Sequence, residues 1–105
     1  MAGEPVVADA PAQNRYEVTV DGELAGFVRY RRKPGSIDLV HTEIDPVHEG
    51  EGLGGVLVRA VLDAARAEGL AVLPFCPFAR SWIERHPEYV DLVPAGRRAQ
   101  FRLDS

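Results

Sequence analysis

Ile37-Asp38-Leu39-Val40-His41-Thr42-Glu43-Ile44-Asp45 reads as an extended segment, and Glu49-Gly50-Glu51-Gly52-Leu53-Gly54-Gly55 follows it as a glycine loop. An amphipathic run then reaches Glu68, and Leu70-Ala71-Val72-Leu73-Pro74-Phe75 carries no charge. Strand, glycine loop, helix and covered strand make a right-handed βαβ unit. Gly50, Gly52, Gly54 and Gly55 leave the backbone N–H groups at the helix start bare of side chains. Such donors, with the positive end of the helix dipole, suit a phosphate or pyrophosphate.

Upstream of this unit, Tyr16, Val18 and Val20 alternate with Glu17 and Thr19, the period of a half-buried strand. Asp21-Gly22 is a type I′ hairpin signal. The returning strand runs from Glu23 to about Arg31, with Leu24, Val28 and Tyr30 expected on one face. Lys33-Pro34-Gly35-Ser36 turns the chain into the segment from Ile37, so the first three strands form an antiparallel meander. Residues 1–14, rich in Ala and Pro, read as a disordered arm. Arg29-Tyr30-Arg31-Arg32-Lys33 is the one basic run and reads as a solvated strand end.

Downstream of the loop, Leu53, Val56, Leu57, Ala60, Val61 and Ala64 fall on one helical face, with Arg59 and Asp63 paired four apart on the other. Gly69 is the expected C-cap. A second helix is predicted from Phe78 to about Arg85, ending before His86-Pro87, with Phe78, Trp82 and Ile83 as its core stripe. Tyr89–Val93 reads as extended, and residues 94–105 as a short edge strand or a loose tail. The fold class is therefore α/β (α+β), a meander leading into one βαβ crossover and a second short helix, with the domain proper over residues 15–93.

A chain of 105 residues has room for one modest core. Its net charge of −4 argues against a nucleic-acid partner, which needs clustered Lys and Arg. One cysteine permits no internal disulfide and fits a reducing, cytoplasmic setting. No apolar run approaches the length of a membrane span, so no membrane partner is expected. The three histidines and Cys76 lack metal-ligand spacing, and no metal site is expected. His48 and His86 read as loop and capping residues.

The loop matches G-x-G-x-x-G through Gly50, Gly52 and Gly55, but a dinucleotide site also expects an acid about 20 positions on, and the next strand ends in Phe75-Cys76. A P-loop would place Lys-Ser or Lys-Thr after the glycines, and neither occurs. Glu49-x-x-Gly52-x-Gly54 instead resembles the [Q/R]-x-x-G-x-[G/A] loop with which GNAT acetyltransferases grip the pyrophosphate of acetyl-CoA. Pro74-Phe75-Cys76-Pro77-Phe78, followed by Ile83-Glu84-Arg85-His86-Pro87-Glu88-Tyr89, is similar to the small yjdJ-type N-acetyltransferase domains, a minimal branch of that family. The resemblance spans about Tyr16 to Val93. It implies a minimal GNAT-like fold and transfer of an acetyl group from acetyl-CoA to an amine of a small molecule or polypeptide, by a monomer or weak homodimer. A CoA-binding or interaction module without catalysis is the alternative.

The CoA-binding set implied by the resemblance is Ile44, Glu49, Gly50, Glu51, Gly52, Leu53, Gly54 and Gly55. Glu49 and Glu51 depart from the basic or amide residues usual in the loop, and their carboxylates would repel a pyrophosphate unless turned to solvent. Gly54 is expected to open directly on the pyrophosphate. Cys76 closes the post-loop strand just before a helix, where the dipole favours a thiolate. It is a candidate to receive the acetyl group, to protonate the departing CoA thiolate, or simply to pack. His41 and Glu43 share a face of their strand, and either could take the proton of the attacking amine, Glu43 through water. As in other GNAT folds, the strands flanking the glycine helix should splay to admit the pantetheine arm. Asp21-Gly22 replaces the helices that shape the acceptor site in larger GNAT enzymes, so that site should be shallow or shared with a partner.

Overall fold

A computed structural model describes residues 3–104. Five strands, β1 (Val6–Ala10), β2 (Arg15–Val20), β3 (Glu23–Lys33), β4 (Ser36–Ile44) and β5 (Ala71–Pro74), form one sheet in chain order. The first three pairings are antiparallel, and β4 and β5 run parallel through the crossover helix α1 (Leu53–Glu68). The second helix, α2 (Pro77–Arg85), follows β5 directly. Asp21 and Gly22 have φ of 52° and 80°, so the hairpin turns through two left-handed residues as their types predict. Among the described residues no helix is long and apolar enough to cross a membrane.

The disordered arm is corrected over most of its length: Val6–Ala10 pairs with Arg15–Thr19 as an edge strand, and residues 1 and 2 lie outside the described residues. Asp9 fixes it, accepting from Tyr30 Oη at 2.6 Å and from Arg32 at 3.2 Å. An edge strand with both faces largely wet has no burial alternation to leave in the sequence, and backbone pairing with β2 supports it beside the Asp9 contacts. The Arg29–Lys33 run is likewise more than a solvated end. Arg32 bridges Asp9 and Glu68, while Lys33 Nζ stands 3.0 Å from the carboxylate of Asp38, which is 1% exposed. Asp38 Oδ1 has no hydrogen-bond partner, so losing Lys33 would leave the buried carboxylate with the longer 3.7 Å contact of Arg31 Nε to offset its desolvation.

Tyr16, Val18, Val20, Val28, Tyr30, Ile37 and Leu39 pack with Leu57, Val58, Val61, Leu62 and Ala65 of α1 in the core. The register shift opposite Val18/Thr19 inserts Ala25 as an extra residue, which turns Leu24 outward beside Thr19 instead of inward with Val28. The buried stripe of α1 includes Val58, Leu62 and Ala65, and Val56 is exposed, so the helix is rotated from its expected facing. Arg59 and Asp63 do not pair directly; both bond Tyr89 Oη. Two further expectations fail at the C-terminal end. Pro87–Leu92 is a 3-10 helix rather than an extended run. Residues 94–104 are neither strand nor loose tail: two 3-10 turns bury Phe101 and Leu103, and Arg80 donates to the Phe101 carbonyl.

Candidate active site at the glycine loop and the strand split

Two breaks in regular pairing create the site. β4 pairs with β5 only from Ser36↔Ala71 to Leu39↔Pro74, and its remaining residues to Ile44 pair with β3 alone. Pro74 cannot donate to a ladder, and Phe75 N–H bonds back to the Leu73 carbonyl at 3.1 Å, turning the chain away. On the other strand Val40 is an extra residue, because Arg29 faces His41 while Tyr30 faces Leu39. A bulge bends its strand, and here it falls where the parallel pairing is about to end. After Cys76 N–H bonds the Leu39 carbonyl at 2.8 Å, backbone bonding from β4 to this segment ends among the described residues, and a side-chain contact between Thr42 and Cys76 follows. Where a splay is expected, the β4–β5 pairing ends, with a proline on one strand and a bulge on the other.

The glycine loop lies beside this split. Asp45 ends β4 and accepts from Val47 N–H, and a short 3-10 turn over Pro46–His48 leads into the loop. Gly50 and Gly52 have φ of 85° and 75°, a region costly for other residues, and a Cβ on either would meet nothing within 4 Å. Gly52 is the N-cap of α1 and offers no side chain to cap it. Val56 N–H is the first to bond back, to the Gly52 carbonyl at 3.3 Å. The N–H groups of Leu53, Gly54 and Gly55 thus face out of the first turn. They border a cleft of about 310 Å³ lined also by Ile44, His48, Glu49, Gly50, Gly52 and Phe78. Every residue of the predicted CoA-binding set except Glu51 lines it.

Gly54 and Gly55 serve a different purpose from Gly50 and Gly52. A Cβ on Gly54 would stand 2.5 Å from Phe78 Cζ, and one on Gly55 would stand 3.2 Å from Trp82 Nε1. These two glycines let the first turn of α1 approach α2, so the expectation that Gly54 opens only on the ligand is corrected: its backbone lines the cleft while its missing side chain faces Phe78. Phe78 is not part of a core stripe either; it is 40% exposed and stands at the wall of the cleft. Glu51 is held by His48, whose Nδ1 lies 3.1 Å from Glu51 Oε1, which turns this carboxylate toward an imidazole. Glu49 remains at the rim.

Cys76 is 3% exposed, and its Sγ lies 2.9 Å from Thr42 Oγ1. Sequence reasoning missed Thr42, because only the register of β4 against the end of β5 brings it to the thiol. Thr42 pairs with Val28 on the helix-covered face, whereas His41 and Glu43 pair with Arg29 and Phe27 on the opposite face. His41 Nε2 and Glu43 Oε1 are 3.4 Å apart, and both side chains are exposed. The structure thus brings His41 to Glu43 and Cys76 to Thr42, with the edge of β4 between the two pairs. Glu43 also lines a second opening of about 380 Å³, with Leu24, Gly26, Phe27, Asp45 and Pro46. His86, the C-cap of α2, stacks on Trp82 and bonds its carbonyl, away from the thiol.

Residues 15–92 match the family model described as GCN5-related N-acetyl-transferase. Over 95 residues the chain is 33% identical to streptothricin acetyltransferase of Streptomyces lavendulae, an alignment that covers 89% of this chain and 46% of that protein. The chain thus spans about half the length of this relative. The solution structure of a GCN5-like protein from Staphylococcus aureus superposes with a TM-score of 0.66 at 23% identity, covering 85% of this chain and 87% of that one.

Proposed function

The chain belongs to the GCN5-related N-acetyltransferase family, and we propose that it transfers the acetyl group of acetyl-CoA to the amine of an acceptor. The observation that carries this reading is the uncapped first turn of α1, which turns bare N–H groups into a cleft at the mouth of the split between β4 and β5. The pyrophosphate sits on the N–H groups of Leu53, Gly54 and Gly55, where the helix dipole and three donors offset its charge. Gly50 and Gly52 keep side chains out of its space. The pantetheine arm passes Ile44 and Phe78 into the split, and the thioester comes to rest with one face of the sheet on either flank.

The acceptor enters from the side of Glu43, through the opening beside Leu24 and Phe27. The amine nitrogen attacks the thioester carbonyl, the N–C bond forms and the C–S bond breaks. The proton leaves the amine for the His41–Glu43 pair, since a protonated amine has no lone pair with which to attack. Cys76, held by Thr42, gives its Sγ proton to the departing CoA thiolate and regains one from solvent. Direct attack is preferred to an acetyl-cysteine because the side-chain partner of Cys76 Sγ is the Thr42 hydroxyl, which is no base to make the thiolate that such an attack needs. An acceptor opening formed by a hairpin end is shallow, which suits an amine on a larger molecule as well as a small one. Calorimetry with acetyl-CoA and CoA, followed by turnover with a panel of amines, tests the proposal. Binding of CoA without transfer to any amine would favour the non-catalytic module, and absence of binding would remove both readings.

A further inference from the structure

A groove of about 390 Å³ runs along α1 from the glycine loop, between α1 and α2, and the mechanism above does not use it. Gly52, Gly55, Val56, Arg59, Asp63 and Trp82 line it. Gly52 and Gly55 also border the loop cleft, so the two openings are continuous around the first turn of the helix. Among the described residues Arg59 is in no ion pair. Its guanidinium donates to Tyr89 Oη at 3.3 Å and lies over the Trp82 ring, 5.1 Å from the centroid. Tyr89 Oη spends its own proton on Asp63 Oδ1 at 2.7 Å, which leaves its oxygen free to accept from Arg59. A cation is thus held in the groove by a tyrosine that it shares with Asp63, with no carboxylate bonded to the guanidinium itself.

We propose that Arg59 holds the 3′-phosphate of the coenzyme A ribose in this groove and lets the protein distinguish CoA from its 3′-dephospho form. This assignment rests on the reading of the loop as the pyrophosphate site. Arg59 lies seven positions beyond Gly52, about 10 Å along the axis at ~1.5 Å per residue. Helical side chains lean toward the N-terminus of their helix, so the guanidinium covers part of that distance. The ribose hangs directly from the pyrophosphate, and its 3′-phosphate is the next anion the ligand presents. The chain as a whole is acidic, with a net charge of −4, so one placed cation weighs more here than in a basic protein. Asp63, the carboxylate facing the groove, lies one helical turn beyond Arg59 and accepts from Tyr89 Oη, so it meets the guanidinium through that hydroxyl and does not pair with it directly.

Calorimetric titration of the whole chain with CoA and with 3′-dephospho-CoA tests the assignment at low and at physiological salt. CoA should bind the parent roughly fivefold more tightly than dephospho-CoA, the ratio that corresponds to about 1 kcal/mol for an accessible ion pair. The preference should shrink as salt rises. Arg59→Gln should remove the preference by weakening CoA alone and leave dephospho-CoA where it was. Tyr89→Phe, which keeps the ring but not the acceptor oxygen, should reduce the preference in part. Equal affinities in the parent, or an Arg59→Gln variant that weakens both ligands alike, would overturn the assignment while leaving the loop site standing. Binding of neither ligand by the parent would refute the CoA reading itself, and the assignment with it.

Discussion

Gly52→Ala and Gly69→Ala make a controlled pair. Both glycines cap α1, one at each end, with φ of 75° and 71°, and a Cβ at either position would meet no atom within 4 Å. An alanine held in the left-handed region costs about 1–2 kcal/mol, and with open space around the new methyl no packing cost is added. The two variants should therefore lose the same ~1–2 kcal/mol, a fall in Tm of roughly 4–16 °C for a domain of this size. They should differ in ligand binding. The methyl on Gly52 enters the space where the pyrophosphate lies and disturbs the first turn, so CoA affinity should drop at least ~10-fold, or 1.4 kcal/mol. The methyl on Gly69 stands at the other end of a 16-residue helix, and CoA affinity should be that of the parent. Thermal melts and calorimetry on both proteins measure the two effects separately. Equal CoA affinity in the two variants, at equal stability, would show that the N-terminus of α1 does not hold the ligand. An undiminished Tm in either would refute the backbone argument.

Three more outcomes are expected. With Cys76 as the proton donor, Cys76→Ala should slow turnover at least ~10²-fold with the KM for acetyl-CoA little changed, and mass spectrometry of the parent with acetyl-CoA alone should show no adduct; parental turnover in Cys76→Ala and Cys76→Ser would reduce the residue to packing. Glu51→Lys should tighten CoA binding at low salt and lose the gain as salt rises, since exposed charges are screened over ~8 Å at physiological ionic strength; unchanged low-salt affinity would place residue 51 away from the phosphates. All three tyrosines titrate above the ordinary phenol value of 10.0, Tyr16 and Tyr30 chiefly through burial and Tyr89 chiefly through its hydrogen bond to Asp63. A pKa raised on folding contributes stability that is complete below about pH 10 and is lost as pH rises through the folded values. Phenolate absorbance of the native protein should therefore lag behind that of the unfolded chain, and alkaline unfolding should begin above pH 10; superimposable titrations would contradict the packing of these rings.

The order strand, glycine loop, helix, strand was legible in the sequence because each piece has a local cause. Asp21-Gly22 takes two positive φ angles, Val18 and Val20 alternate with polar residues, Gly69 caps a helix, and Pro87 stops one. The location of an open cleft at Gly50–Gly55 followed from the same local chemistry, since glycine exposes backbone wherever it is placed. Long-range pairing decided the rest. β1 has no periodicity because it is an edge, and its pairing with β2 and the meeting of Asp9 with Tyr30 and Arg32 fix it. One extra residue at Ala25 and another at Val40 reverse which side chains face the core, and no window of sequence reports a bulge that exists only relative to a partner strand. The same dependence explains why Thr42 reaches Cys76 while His41 and Glu43 turn the other way. The four glycines of the loop look alike in sequence; the packing of α2 divides them, giving Gly50 and Gly52 to the open cleft and Gly54 and Gly55 to the contact with Phe78 and Trp82.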